Sequence, residues 1–281
     1  EDAGRTDTGP TPVSQESSLA PTSVEKGEPA MNDKIHGEEV TYTADGVTLK
    51  GYIAWDERKT GRRPGVLVVH EWWGHNEYAR RRARMLAQLG YTALAVDMYG
   101  DGKQADHPAD AQKFATEVAN NAEGAGKRFA AAKQVLEAHA TVDKDEIAAV
   151  GYCFGGGVVL NMARTGMDLD GVASFHGSLA AKVPARKGAI KAKMFVATGA
   201  DDWFAPPEQV AAFKKEMADA GAKLELVSYP GAKHSFTNPA ADEYGAKFKL
   251  PLAYNQAADE QSWAALEVFL RSLWSAPAAG K

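Results

Sequence analysis

Polar and apolar residues alternate along residues 39–43 and again along 48–55, the period of a strand with one buried face. Asp45-Gly46 lies between the runs and supplies the positive-φ positions of a tight hairpin turn. Residues 64–70 replace this rhythm with a nearly unbroken apolar run, expected of a strand covered on both faces. Helix-like and strand-like stretches then take turns. Helical spacing over 77–89 is basic on one side and closes at Gly90, and strand character returns over 91–96. Residues 108–138 carry a long helical pattern, with a break expected at 123–126 where two glycines fall. Strands are expected at 147–152, 171–175, 193–198 and 224–229, and helices at 155–164, 207–220 and 258–273. Pro207 suits a first helical turn, where no N–H is needed. This alternation predicts an α/β domain, a mostly parallel sheet with helices on both faces preceded by an antiparallel hairpin.

The first 30 residues have no hydrophobic period and are rich in Ser, Thr, Pro, Gly and Glu, a composition that buries too little apolar surface to order itself. The expected organisation is a disordered extension at 1–36, one domain at 37–276 and a disordered tail at 277–281. Because the chain starts at Glu1, two origins compete: a mature export product, or a leader ahead of Met31. Export to the periplasm is expected over a cytoplasmic location. A net charge of −5 gives no reason to expect nucleic acid or an anionic membrane as partner. No apolar run is long enough for a transmembrane helix. A single cysteine excludes an intrachain disulfide and a multi-cysteine metal site, and no His-Glu-x-x-His spacing occurs, so no metal is expected.

That cysteine stands in Gly151-Tyr152-Cys153-Phe154-Gly155, where an expected strand meets an expected helix. The layout is that of a nucleophile elbow, with cysteine in the serine position. So sharp a turn crowds the backbone and favours glycine on either side, while the helix N-terminus favours a thiolate. Two other readings stand beside it: an inert buried thiol, or a phosphate-binding glycine turn. The third glycine of a dinucleotide fingerprint and the Lys-Ser/Thr of a P-loop are both missing. A catalytic thiol needs a base and a group that orients the base. Asp202 and His234 lie on loops after later strands, giving the nucleophile–acid–histidine order of α/β-hydrolases. One or both of Asp201 and Asp202 could instead cap the following helix, and Asp201 is expected to be structural. His70 and His176 end strands, whereas His36, His75, His107 and His139 fall in expected surface loops or helix ends. The oxyanion hole is assigned to the backbone N–H groups of Trp72 and Phe154.

These motifs resemble the dienelactone hydrolase family over residues 38–273. The resemblance rests on His70-Glu71-Trp72-Trp73-Gly74, Asp97-Met98-Tyr99, the elbow from Gly151 to Gly156, Gly199-Ala200 with Asp202, and His234-Ser235-Phe236. It implies an α/β-hydrolase fold, a Cys153–Asp202–His234 triad and no cofactor. It also implies that Glu71 occupies the place of a family glutamate that holds the resting thiol and aids its deprotonation; a salt bridge to a nearby arginine is the other reading. Two arginines that clamp the substrate carboxylate in dienelactone-cleaving members are replaced by Asp101 and Asn238, with Lys103 nearby as a point charge. Trp73, Tyr99, Trp203 and Phe236 are candidate pocket residues for an apolar or aromatic acyl group, and candidates for core packing equally.

The resulting expectation is a hydrolase of carboxylic esters or lactones, acting through a thioester acyl-enzyme on a small-molecule substrate, as a monomer or homodimer. Two alternatives remain: a thioesterase or acyltransferase on the same framework, and a non-catalytic thiol sensor or binding protein. The second has no need of an oriented base, which Asp202 and His234 supply.

Overall fold

A computed structural model describes residues 34–275 of the chain. Strands β1 (Ile35–Ala44) and β2 (Val47–Asp56) form the expected hairpin, closed by Asp45 and Gly46 at φ of 52° and 77°. β1 begins two residues ahead of the expected domain boundary at 37, because Ile35 pairs with Asp56. The rest of the expected extension and the tail at 277–281 lie outside the described residues.

After the hairpin come β3 (Arg63–Val69), α1 (Glu77–Gln88), β4 (Thr92–Val96), α2 (Pro108–Ala119), α3 (Ala122–Ala138), β5 (Val142–Tyr152) and α4 (Phe154–Arg164). Then follow β6 (Gly171–Phe175), β7 (Lys193–Gly199), α5 (Pro207–Ala220), β8 (Leu224–Tyr229), α6 (Ala241–Phe248) and α7 (Gln256–Trp274). The strands form one eight-stranded sheet in the order β1-β2-β4-β3-β5-β6-β7-β8. β1/β2 and β2/β4 are antiparallel, and every later pair is parallel. This is the α/β-hydrolase architecture. The chain runs outward from β3 to β4 and then jumps back across β3 to β5, so the switch point of the sheet lies between β3 and β5. Carboxyl ends of strands at such a point leave a crevice where ligands bind.

Strand alternation divides the core. Leu67 and Val69 of β3 face a cluster with Phe129 and Leu136 of α3, Val159 of α4 and Phe213 of α5. Val66 and Val68 face the opposite cluster with Ala83 and Leu86 of α1 and Leu266 and Phe269 of α7. Each such leucine or phenylalanine contributes about 1.5–3 kcal/mol by leaving water.

Three local departures from the expected pattern have physical causes. The break between α2 and α3 falls at Asn120-Asn121, not at the glycines: Asn121 caps α3 by accepting from Gly124 N–H at 2.9 Å, so the glycines sit in the first turns. β5 starts five residues early because Val142 and Asp143 pair with Arg63 and Pro64 ahead of a bulge. α6 has no counterpart in the expected elements; at eight residues it is too short for its period to stand out.

The turn from β5 into α4 is the tightest point of the fold. Cys153 adopts φ 53° and ψ −117°, a strained conformation for a side chain with a Cβ. A Cβ on Gly151 would lie 2.0 Å from the Gly155 carbonyl oxygen, and one on Gly155 would lie 2.2 Å from that of Val69. Gly157, one turn further, has only the Ser178 carbonyl and side chain at 3.6 Å or more. Gly151→Ala is therefore expected to lower stability by at least about 2 kcal/mol through overpacking, while Gly157→Ala is neutral or slightly stabilising. Urea unfolding of the two variants against the parent checks the contrast.

Candidate active site

Four loops at the carboxyl ends of β3, β5, β7 and β8 converge. At the elbow the Cys153 N–H donates to Phe175 O at 2.9 Å and the Gly155 N–H to His70 O at 3.0 Å, which ties this turn to both neighbouring strands. Cys153 is half-buried and Phe154 partly exposed beside it.

His234 Nε2 lies 3.1 Å from Cys153 Sγ, and His234 Nδ1 donates to Asp202 Oδ2 at 2.9 Å. The three residues thus form a continuous chain across segments 81 and 32 positions apart. Burial opposes a charge on His234, but the thiolate form of Cys153 and the Asp202 carboxylate overcome it and push the imidazole up to about 10. The second oxygen of Asp202 accepts from the Phe204 N–H at 2.8 Å. Asp202 caps no helix: the α5 cap is Pro206, and Asp201 is exposed at the turn.

The histidine loop is held from several sides. Ala253 N–H donates to His234 O and Asn255 N–H to Phe236 O, at 3.3 and 3.0 Å. Arg82 Nη2 donates to Thr237 O and to Asp259, both at 2.7 Å. Arg82, one of the arginines of this basic helix, is thus buried. His176, buried behind His234 with ring centroids 5.5 Å apart, bonds through Nε2 to Thr237 Oγ1 at 2.8 Å. Burial and the neighbouring His234 keep it far below the ordinary imidazole value and therefore neutral.

Glu71 is buried, and burial raises its pKa above the ordinary carboxyl value despite two opposing hydrogen bonds. Ser235 Oγ donates to Oε2 at 3.0 Å and Asn238 Nδ2 to Oε1 at 2.6 Å. Neither partner was anticipated. The carboxyl bonds to no arginine among the described residues, nor to Cys153, so the thiol contact expected from the resemblance is not formed in this state. Asn238, noted only as a missing arginine, is what holds Glu71.

Neither the Trp72 nor the Phe154 backbone N–H has a protein acceptor among the described hydrogen bonds. Trp72 sits in a turn closed by Gly74 N–H donating to Glu71 O at 3.1 Å, and its carbonyl accepts from Tyr99 OH at 2.7 Å. Asp97 builds the Tyr99 loop by accepting from the N–H groups of Lys50, Tyr99, Gly100 and Gly102. His70 donates through Nδ1 to Glu71 O and accepts at Nε2 from Met98 N–H, a structural cross-link between two strand ends. His75, expected at the surface, is buried and bonded to Val96 O and Arg80.

The candidate pocket aromatics separate into two groups. Trp73 stacks on Tyr244 with centroids 4.4 Å apart, Phe236 is fully buried against His176, and Tyr99 is buried as a brace. Trp203 is different, 74% exposed. Its neighbour Phe204, which sequence reasoning passed over, is 42% exposed and packs 4.7 Å from the His234 ring. Only its place next to Asp202 could have pointed to it. Lys103 lines a small cavity with Tyr99, Phe114 and Arg128. Among the described residues no cluster of His, Cys, Asp and Glu could hold a metal ion, and no helix is long and apolar enough to cross a membrane.

A model of the dienelactone hydrolase family matches residues 49–273, nearly all of the described chain. The chain belongs to the dienelactone hydrolase family. The crystal structure of a dienelactone hydrolase-like promiscuous phosphotriesterase from metagenomic libraries is similar at TM-score 0.81 and 35% identity, covering 86% of this chain and all (100%) of that one. Protein usf of Aquifex pyrophilus is 30% identical over 213 residues, 74% of this chain and 90% of its own. The Saccharolobus solfataricus protein named "Putative carboxymethylenebutenolidase" is 25% identical over 269 residues, 83% of this chain and 98% of its own. As a dienelactone hydrolase family member, the protein is a hydrolase acting on esters or lactones.

Folding raises the Glu71 pKa, so ionising this carboxyl works against the folded state. The sign follows: the penalty is absent below the ordinary carboxyl value and accrues as pH rises from there through the folded value. Glu71→Gln keeps the shape without the charge, its oxygen accepting from Asn238 and its amide donating to Ser235 Oγ in reversal of the parent bond. Its stability relative to the parent is expected to increase as pH rises from the ordinary carboxyl value of 4.5 into the neutral range. Urea unfolding of both proteins across that range provides the check.

Proposed function

We propose that the protein cleaves carboxylic esters or lactones by covalent catalysis at Cys153, with His234 as proton carrier and Asp202 as its orienting acid. The single observation that carries this reading is the unbroken chain from Sγ to His234 to Asp202, at 3.1 and 2.9 Å. A thiolate beside an imidazolium is an activated nucleophile at neutral pH. The sulfur attacks the acyl carbon, and the oxygen that becomes negative meets the Trp72 and Phe154 N–H groups. Each donor aimed at that charge contributes about 3 kcal/mol of transition-state stabilisation. His234 passes its proton to the departing oxygen, leaving a thioester. It then accepts a proton from water, which attacks the thioester and frees the sulfur.

Glu71 supports the same site at one remove. By tying Ser235 and Asn238 to the β3 loop, it places the imidazole against the sulfur and sets the Trp72 turn. A thiol sensor would need neither the imidazole contact nor the carboxylate behind it, and this favours the enzyme reading.

Intact-protein mass spectrometry after brief mixing with an activated aryl ester tests the mechanism. A transient acyl adduct is expected on the parent and none on Cys153→Ala, whose turnover falls to background. His234→Ala is expected to lower kcat/KM by at least about 10³-fold. Ester turnover that survives in folded Cys153→Ala would overturn the proposal.

A further inference from the structure

Trp203 and Phe204 present the largest aromatic surface that the core leaves uncovered, at 74% and 42% exposure. Among the described residues the other large exposed hydrophobic side chains, Val183 and Val268, stand on a different loop and on α7. The two rings meet edge to face, with centroids 5.3 Å apart and planes at 88°, so they form the two walls of a corner. One wall abuts the site: the Phe204 ring lies 4.7 Å from the His234 ring. The corner is also rigidly referenced to it. The Phe204 N–H donates to Asp202 at 2.8 Å, and the Ala205 N–H donates to Asp202 O at 3.2 Å.

Resting on the covalent reading above, we propose that this corner binds the leaving group of the substrate, and that the group is a planar aromatic one. The side of the site decides which half of the ester it meets. In acyl transfer to Cys153 the acyl C–O bond breaks as the C–S bond forms. The departing oxygen keeps the bonding electron pair and takes the proton from His234 Nε2. A ring packed on that imidazole is therefore close to the leaving oxygen and its substituent. The acyl oxygen is drawn instead to the Trp72 and Phe154 amides. An aryl ring on the departing oxygen can lie against one wall of the corner and meet the other with its edge, both favourable aromatic geometries. Residues 203 and 204 thus select an alcohol or phenol, whereas the sequence pattern suggested an acyl group. Aryl esters form the favoured substrate class.

The test uses two acetates, 2-naphthyl and ethyl, that yield the same acyl-enzyme and differ only in the leaving group. In Trp203→Ala the naphthyl-to-ethyl ratio of kcat/KM is expected to fall roughly tenfold. Trp203→Phe, which keeps an aromatic wall, is expected to retain most of the ratio. Hydrolysis of the shared acetyl-enzyme, followed in rapid-mixing experiments, is expected to run at the parent rate in both variants. An unchanged ratio in Trp203→Ala would overturn the proposal. So would a fall in both substrates by the same factor, which would mean that the tryptophan only steadies the Asp202 loop. Failure of the parent to hydrolyse either ester through Cys153 would overturn the covalent reading first, and this assignment with it.

Discussion

The contact on which the site depends is one between backbones. The α-carbon of Gly155 rests against the carbonyl oxygens of Val69 and His70, and that of Gly151 against the carbonyl of Gly155, closer than any side chain would allow. These approaches press the start of α4 onto the end of β3. They bring the loop after β3 beside the elbow and force Cys153 into its positive-φ conformation. Without them the sulfur would not stand at this turn beside the loop after β3. Strain at one residue is tolerated because the surrounding strands over-determine it.

Around that turn the charged groups balance by position. Asp202 and the sulfur bracket His234 and favour its cation, while His176 behind it stays neutral because it is buried beside that cation. Glu71 is held by neutral donors from Ser235 and Asn238 in a setting that disfavours its charge. Arg82 carries a further buried positive charge, matched by Asp259. Residues 234–238 are consequently fixed by partners on the β3 loop, α1 and the segment before α7, although the loop itself has no regular structure. The imidazole keeps its place because five consecutive residues are each held from outside the loop.

Much of this was legible from residue type and order. Gly151, Cys153 and Gly155 mark an elbow because only a crowded turn requires that spacing, and Asp202 and His234 follow in hydrolase order at strand ends. The hairpin at Asp45-Gly46 and the buried run before His70 were equally readable from turn chemistry and apolar continuity. What could not be read were contacts between distant segments. The partners of Glu71 lie 164 and 167 positions away, and nothing local marks Ser235 or Asn238 as their owners. Nothing local separates Arg82 from the other arginines of α1 until α7 brings Asp259 to it. Trp73 and Phe236 read as pocket aromatics for the same reason, since composition does not distinguish a ring that lines a cavity from one that fills it. The end of α2 was misplaced because glycine was weighed above a capping asparagine.

One consequence follows from the cysteine count. Within these 281 residues Cys153 is the sole sulfhydryl. Any electrophile consumed by the folded chain through sulfur reports on this one address, so titration of thiol equivalents is also a count of competent sites. The same solitude shapes its response to peroxide. A sulfenic acid formed at Cys153 has no second thiol in the chain with which to close a disulfide. The thiol that reduces it must then come from outside these residues, and further oxidation before it arrives gives forms that no thiol reverses.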